Sequence, residues 1–470
     1  MKRDLLIHDV RQRLKRLPSP YDNHYGVVPL PPPEEGIRLS EVGRRHMQAV
    51  AAMAKVDVLA SETGDAYLVS RVLTRSEAVS SSSLEGTNST LDELLSLEES
   101  ADDQTRSEAK QVRDYALILD KWLPEAARHG DAVFCVSLIQ NLHAAIIAGD
   151  PDYKDAPGEL RQVVVWIGGG GNIAYSTWNP PPPEDVPACL NETMDYLRNE
   201  GMQQMTQDLI VRMAIAHAHF EAVHPFRDGN GRVGRMLLPL MMAASGHVPL
   251  YLSPYIDAHK TEYFASLKAT QLRLDWATMV GFLSDAIVGT VHELMVTRQA
   301  LAALRAAWLQ RRPFRKGSAA LRALDLLPHF PIITAQRLAG MLSISMPQAF
   351  QAIDQLTEAD ILKETTGNSR NRVFAASEAL GLINRPFGAE PEGPEAQAWD
   401  RPRRLKHRTL LLKFKNTNFN NGKSCYGFRD VRTRSAQRAL FQPIAPTPPL
   451  WRQLPKRWTA HPHLQHCSAG

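Results

Sequence analysis

Cysteine is scarce in this chain: Cys135, Cys189, Cys425 and Cys467 are the only four in 470 residues. Their scatter offers neither paired metal-ligand spacing nor a disulfide framework, which points to a reducing cytoplasm. Long hydrophobic runs are lacking too. Even Met236–Ala244 is short and holds Pro239, so neither a membrane span nor a membrane partner is expected. The N-terminus, Met-Lys-Arg-Asp-Leu-Leu-Ile-His-Asp, turns acidic too soon and is apolar too briefly for a secretory leader. The net charge of +4 hides an imbalance, because residues 401–470 hold 15 Lys and Arg against the single acid Asp430. A hydrophobic content of 44% suffices for a sizeable core, and the length favours two or three domains over one.

The run His224-Pro225-Phe226-Arg227-Asp228-Gly229-Asn230-Gly231-Arg232-Val233-Gly234-Arg235 is the most informative stretch. His224 has the side chain whose ordinary pKa lies nearest neutral pH, suited to taking a proton from a hydroxyl. Asp228 offers the hard oxygen that Mg²⁺ prefers beside phosphate. Gly229 and Gly231 permit positive φ or close backbone approach around Asn230. From about Gly231 onward the sequence reads as a helix start, and a helix N-terminus attracts phosphate. Arg232 and Arg235, at i and i+3, lean toward the same turn. Phe226 is expected to anchor the loop in the core. Taken singly, each fragment has an ordinary reading as a loop histidine, a tight turn or a solvated arginine pair. In register over twelve positions they suit a nucleoside triphosphate.

This run resembles the active-site motif of Fic-domain proteins, His-x-Phe-x-(Asp/Glu)-Gly-Asn-Gly-Arg-x-x-Arg, at every specified position. The resemblance implies a mainly α fold, a Fic helical core with a small β-hairpin flap, and transfer of AMP from ATP to a Ser, Thr or Tyr hydroxyl of a target protein. It implies His224 as the base and Asp228 as the Mg²⁺ ligand. It also implies Asn230 and Arg232 on the α- and β-phosphates and Arg235 on the γ-phosphate. Doc-type relatives that phosphorylate carry Lys where this chain has Gly231, which favours AMP transfer. Removal of AMP, or another nucleotidyl or phosphoryl transfer at the same site, is the alternative enzymatic reading. A nucleotide-sensing DNA-binding regulator is the non-enzymatic one.

Residues 70–86 resemble the family's inhibitory helix, (Ser/Thr)-x-x-x-Glu-(Gly/Asn), with Ser81, Glu85 and Gly86 at its fixed positions. A carboxylate on Arg235 would occupy the fork that the terminal phosphate of ATP needs. The plainer reading is a helix C-terminus with Glu85 solvated and Gly86 left-handed. The β-branched run Val163-Val164-Val165-Trp166-Ile167 lies between Gly158 and Gly168–Gly171. It reads as a hairpin with a return strand near Asn172–Ser176, closed by Pro180–Pro183. It resembles the Fic flap, whose edge grips the target's backbone. Leu250–Ile256 and Tyr263-Phe264 resemble the segment closing the base pocket, with core packing of Tyr263 as the simpler alternative. His217 and His219 read as packed or solvated, not as ligands.

The expected organisation is an irregular segment 1–38, a helical region 39–104 with the inhibitory helix, and a catalytic core 105–300. A strong helix, Thr206–Val223, with Leu209, Met213, Ala216 and Phe220 on one face, would deliver His224. Residues 313–380 read as three helices and a hairpin, a winged helix-turn-helix with Thr334 as a helix cap. Its third helix shows Gln348, Gln351 and Gln355 but no Lys or Arg, so docking or a homodimer is favoured over DNA. Residues 384–470 read as a basic, disordered tail.

Overall fold

The structure, a computed structural model, describes residues 1–33, 36–63, 70–99, 107–199, 207–366 and 371–391. The first 38 residues, expected to be irregular, are only partly so. They form a short helix, α1 (His8–Gln12), and an antiparallel pair, β1 (Leu14–Arg16) and β2 (Tyr25–Val27), with Leu14 opposite Val27. Burial holds them in place: Leu6, Val10 and Val27 are at most 2% exposed and cluster with Trp178, Ala222 and Leu272. Those partners lie far along the chain, so the local pattern gave no sign of them. Pro29–Pro33 takes no regular structure.

The helical pattern over 39–100 becomes α2 (Gly43–Thr63), α3 (Arg71–Leu84) and α4 (Leu91–Glu99). Then follow α5 (Ser107–His129), α6 (Val136–Ile147), α7 (Val186–Arg198), α8 (Leu209–Val223) and α9 (Asn230–Ala244). Next come α10 (Ser253–Ala258), α11 (Lys260–Arg273) and α12 (Trp276–Arg311). α8 is the central element. Every residue from Ile210 to Val223 is buried, because α7, α9, α11 and α12 all pack on it. The expected single apolar face was therefore too narrow. α8 also starts later than Thr206, at the point where the Asp208 carboxylate accepts from the Val211 amide at 3.1 Å.

α12 corrects two expectations. It runs through residue 300 to Arg311, past the expected end of the core. Among the described helices it is the one long and apolar enough to cross a membrane, which the lack of long runs did not foreshadow. Asp285 and Glu293 interrupt its sequence, while Met279, Leu283, Ile287, Leu294 and Trp308 are buried. It packs on α2, α8 and α11, so its apolar length serves the core.

Beyond it lie α13 (Ala319–Leu326), β3 (Ile332–Thr334), α14 (Ala335–Leu342), α15 (Met346–Glu358), β4 (Lys363–Glu364), β5 (Val373–Ala375) and α16 (Ser377–Ile383). The strands form an antiparallel sheet in the order β3-β5-β4, with Ile332 opposite Ala375 and Glu364 opposite Phe374. Thr334 caps α14 by accepting from the Arg337 amide at 3.2 Å, and Ser345 and Gln348 form a capping box at α15. Of the two arginines that the sequence places in the expected wing, Arg370 and Arg372, the first lies outside the described residues. One contiguous hydrophobic cluster runs from Val42 to Leu382, so the helical regions expected as separate units share a core. The expected tail begins too early. Arg385 donates to Thr297 Oγ1 at 2.7 Å, and the Phe387 ring stands edge-on to Tyr255 at 5.5 Å. Residues 392–470, the remainder of the expected disordered tail, lie outside the described residues.

Candidate functional site

α8 ends at His224, whose φ of 51° turns the chain out of the helix, and α9 begins after Gly229 at φ 78°. The five residues between are held from three sides. Phe226 is fully buried, its ring stacked on His143 with centroids 3.7 Å apart. Burial of such a side chain contributes about 2–3 kcal/mol. His143 accepts from the Gly158 amide at Nδ1, 2.9 Å, which leaves Nε2 to donate to the Asp228 carbonyl at 3.1 Å. Burial pushes its pKa down to about 4, in keeping with a neutral ring. Arg161, 1% exposed, donates from Nε to the His224 carbonyl at 2.8 Å and from Nη2 to the Pro181 carbonyl at 2.7 Å. Burial lowers its pKa to about 10. Asn230 closes the loop: Oδ1 accepts from the Phe226 amide at 2.8 Å and Nδ2 donates to the Phe226 carbonyl at 2.9 Å.

The Asn230 side chain, expected on a phosphate, is thus engaged by the loop itself. What remains for an anion is the first turn of α9. Its N-cap, Gly229, makes no side-chain cap hydrogen bond, and first-turn amides have no acceptor within their own helix. Arg232 is 4% exposed, with Nη2 3.7 Å from Asp228 Oδ2 and a buried Nε that has no hydrogen-bond partner. Together these make a cationic cradle at a helix N-terminus.

Arg235, one turn on and 2% exposed, has its fork filled by α3. Nε donates to Ser81 Oγ at 2.8 Å, and Nη2 donates to the Ser81 carbonyl at 2.9 Å and to Glu85 Oε1 at 2.6 Å. Burial alone would depress the Arg235 pKa, but the charge and hydrogen bond of Glu85 more than reverse this and raise it above its ordinary value. Burial likewise pushes the Glu85 carboxyl up, and Arg235 outweighs it, leaving a net shift below the usual carboxylate range. Gly86, at φ 90°, ends α3, so Glu85 is both a helix terminus and an arginine ligand. Gly231 leaves room for this pair: a Cβ would sit 2.2 Å from Glu85 Oε1 and 2.7 Å from Arg235 Nη1 and would have to push them aside.

The His224 side chain is one-fifth exposed. Burial first, then the charge of Arg161, push its pKa down to about 4, against the pull of Glu85, the Glu221 carbonyl and Asp228. A neutral imidazole at neutral pH is the form that accepts a proton. Tyr263 is buried at 1% exposure and meets the site through its hydroxyl, 2.8 Å from His217 Nε2, not through its face. His217 Nδ1 donates to the Gly234 carbonyl at 3.0 Å, which ties α8 to α9. The expected stacking of Tyr263 on a base is therefore replaced by core packing. Phe264, beside it, is 47% exposed.

The expected hairpin at 163–176 is absent. Ile167 makes one isolated antiparallel bridge to Trp178, and residues 173–175 form a single 3-10 turn in place of the return strand. Gly168, Gly169 and Gly170 all take positive φ, which bends the chain too tightly for a ladder. Arg161 Nη1 binds the Val163 carbonyl at 3.1 Å. Among the described hydrogen bonds none uses the backbone of Val164, Val165 or Trp166, so this edge is free to pair.

Asp228 is the carboxylate at the mouth of the cradle, 59% exposed and only loosely engaged by Arg232. Among the described residues no group of three ligating side chains exists. A Mg²⁺ shared with phosphate oxygens needs only one or two protein carboxylates, and Asp228 fits that role. A cavity of about 730 Å³ lies elsewhere, on the opposite face of α3, between Leu73, Ser76, Val79, Tyr251, Leu294 and Phe387.

Sequence reasoning passed over His143, Arg161 and Glu221. The first two were visible only as a helix residue and a charge beside the valine run. Their roles depend on the return of the chain to the loop, which no local pattern carries.

Residues 133–242 match the family model described as Fic/DOC family, and residues 44–120 match that of the Fic/DOC family N-terminal region. The protein adenylyltransferase fic-1 of Caenorhabditis elegans is 37% identical over 134 residues, 28% of this chain and 23% of its own length. A probable protein adenylyltransferase of Aquifex aeolicus is 44% identical over 74 residues, 16% of this chain and 22% of its own. The chain thus spans about a quarter of the length of the curated relatives it matches. Among solved structures, a Fic family protein from Desulfovibrio desulfuricans is similar at 19% identity and a TM-score of 0.45. That match covers 74% of this chain and 98% of that one.

Proposed function

We propose that this chain is a protein adenylyltransferase that moves AMP from ATP to a Ser, Thr or Tyr hydroxyl, and that Glu85 holds it off. The carrying observation is the Arg235 fork, filled by Ser81 and Glu85 beside an uncapped helix N-terminus and a neutral histidine. Names of relatives at the matched segment support the same chemistry. In the reaction, His224 accepts the hydroxyl proton and the freed oxygen attacks the α-phosphorus. The bond to the bridging oxygen breaks in line, and pyrophosphate leaves with the electron pair. Arg232 and the first amides of α9 stabilise the charge that develops. Arg235 would take the terminal phosphate once Glu85 gives way. Asp228 would hold Mg²⁺, which when bound would neutralise phosphate charge. The unpaired backbone of Val164–Trp166 would present the target's extended segment.

We further read residues 313–380 as a winged helix-turn-helix used for protein docking or self-association. On α15, Met346 and Phe350 are 40% and 48% exposed, and the helix carries no Lys or Arg.

The test is label transfer from ATP carrying ³²P at the α position. Glu85→Gly should raise self-modification at least tenfold, and His224→Ala in that background should abolish it. Equal labelling of the native chain and Glu85→Gly would refute the clamp, and label surviving His224→Ala would refute the base.

A further inference from the structure

Glu221 lies one turn before His224 on α8 and is 6% exposed. Its Oε1 is buried with no hydrogen-bond partner, and its Oε2 is 4.0 Å from His224 Nδ1, itself buried and without a partner of normal geometry. An unpaired buried carboxylate is costly, so its retention beside an unpaired imidazole nitrogen needs a reason. Gly234 makes room for it: a Cβ on Gly234 would meet Glu221 Oε1 at 2.4 Å. The Gly234 of the loop-helix run is thus the glycine that lets a carboxylate lie behind the histidine. The groups facing Glu221 are Arg235 on α9, Glu85 on α3, Tyr263 on α11 and His224 at the end of its own helix. Of these, Arg235 is taken by Ser81 and Glu85, and Tyr263 by His217.

We infer that Glu221 is a positioning residue for His224: its carboxylate draws the proton onto Nδ1, fixing the tautomer that leaves Nε2 bare toward the incoming hydroxyl. This deepens the proposed function and rests on it for its kinetic consequence alone. A small rotation closes the 4.0 Å gap, and the orphaned Nδ1 then donates to Oε2. When Nε2 takes the hydroxyl proton, the same carboxylate sits behind the imidazolium and offsets its charge. The carbonyl of Glu221 acts on the ring as well. Substitution of the side chain leaves that carbonyl in place and so separates the two.

The experiment uses the full chain carrying Glu85→Gly, with Glu221→Gln and Glu221→Leu added singly. At pH 8, above the value of about 7 to which burial raises Glu221, nitrogen-15 NMR of the histidine rings should show one Nδ1–H tautomer for His224 with Glu221 present, and mixed tautomers in Glu221→Leu. kcat for label transfer should fall about tenfold or more in Glu221→Leu, a fraction of what a general base supplies. KM for ATP should stay within twofold, and Glu221→Gln, which keeps an acceptor oxygen, should fall between. Unchanged His224 tautomers together with kcat within twofold would overturn the inference. If the Glu85→Gly parent transfers no label, the proposed function fails while the NMR arm still decides the role of Glu221. Should Glu221→Leu fail to fold, Gly234→Ala serves instead, because its methyl meets the carboxylate first. It should shift the His224 tautomers in the same direction, and its failure to do so would count against the inference.

Discussion

At the scale of single residues, the loop depends on polar side chains that never reach a ligand. Asn230 satisfies both the amide and the carbonyl of buried Phe226. Asn230→Ala orphans both, at roughly 1–3 kcal/mol each. The expected outcome is a lower urea midpoint with an unchanged slope; an unaltered midpoint would mean that water replaces the amide. This is also where the sequence misled. Side-chain types at 224–235 pointed to a phosphate-binding loop, because the glycines, the helix start and the arginines lie within one turn of each other. The same types could not say that Asn230 faces inward, since Asn serves a loop and a ligand equally well. Tyr263 shows the same ambiguity: an aromatic at that spacing suits a base pocket or a core, and in the structure it is buried with its hydroxyl against His217 Nε2.

At the scale of elements, α3 matters through what pins it. Arg75, 2% exposed, donates to Glu98 Oε1 on α4 at 2.7 Å and pairs with Asp120 on α5. Glu77 on the same helix accepts from the Ser253 amide at 2.8 Å and from Ser253 Oγ at 2.6 Å. Lys260 Nζ reaches the Leu84 carbonyl at 3.2 Å at the helix end. Arg75→Ala would leave Asp120 without its cation and Glu98 with Arg71 alone, a loss below the roughly 3–5 kcal/mol of a broken buried pair because Asp120 is partly exposed. Faster amide hydrogen exchange across α3 is expected, with a several-fold rise in label transfer from ATP. Exchange confined to α4 and α5 would show that the contacts of Glu77, Leu84 and Ser81 hold α3 without Arg75. The helices were legible because the 3.6-residue pattern survives wherever one face meets solvent. α8 kept only half of its signal, since a helix apolar all round shows no face. The valine run misread as a hairpin has strand composition, yet three successive positive-φ glycines follow it and its return pairing stops at the single Ile167–Trp178 bridge.

At the scale of the whole molecule, the histidines set an acid limit. His143, His217, His219 and His224 are each pushed down to about 4 by burial. Unfolding restores the ordinary value near 6.5, so between pH 6.5 and 4 the unfolded chain binds more protons than the native one. The stability that these rings contribute is present above pH 6.5 and is lost as pH falls toward 4. Each uncompensated histidine removes about 1.4 kcal/mol per pH unit in that window. Glu221 acts oppositely. Burial pushes it up to about 7, so its contribution grows as pH falls from 7 toward 4.5 and offsets one histidine. Urea unfolding at pH 7 and pH 5 should therefore show a marked loss at the lower pH, and equal midpoints would show that these rings are not buried neutral. The separation of Glu85 from Arg235, 150 residues along a single chain, has a kinetic corollary. Under the proposed function, a tethered anion would compete at a fixed effective molarity, so diluting the protein would not weaken it, and a rise in nucleotide level would act on it only by direct competition at one guanidinium.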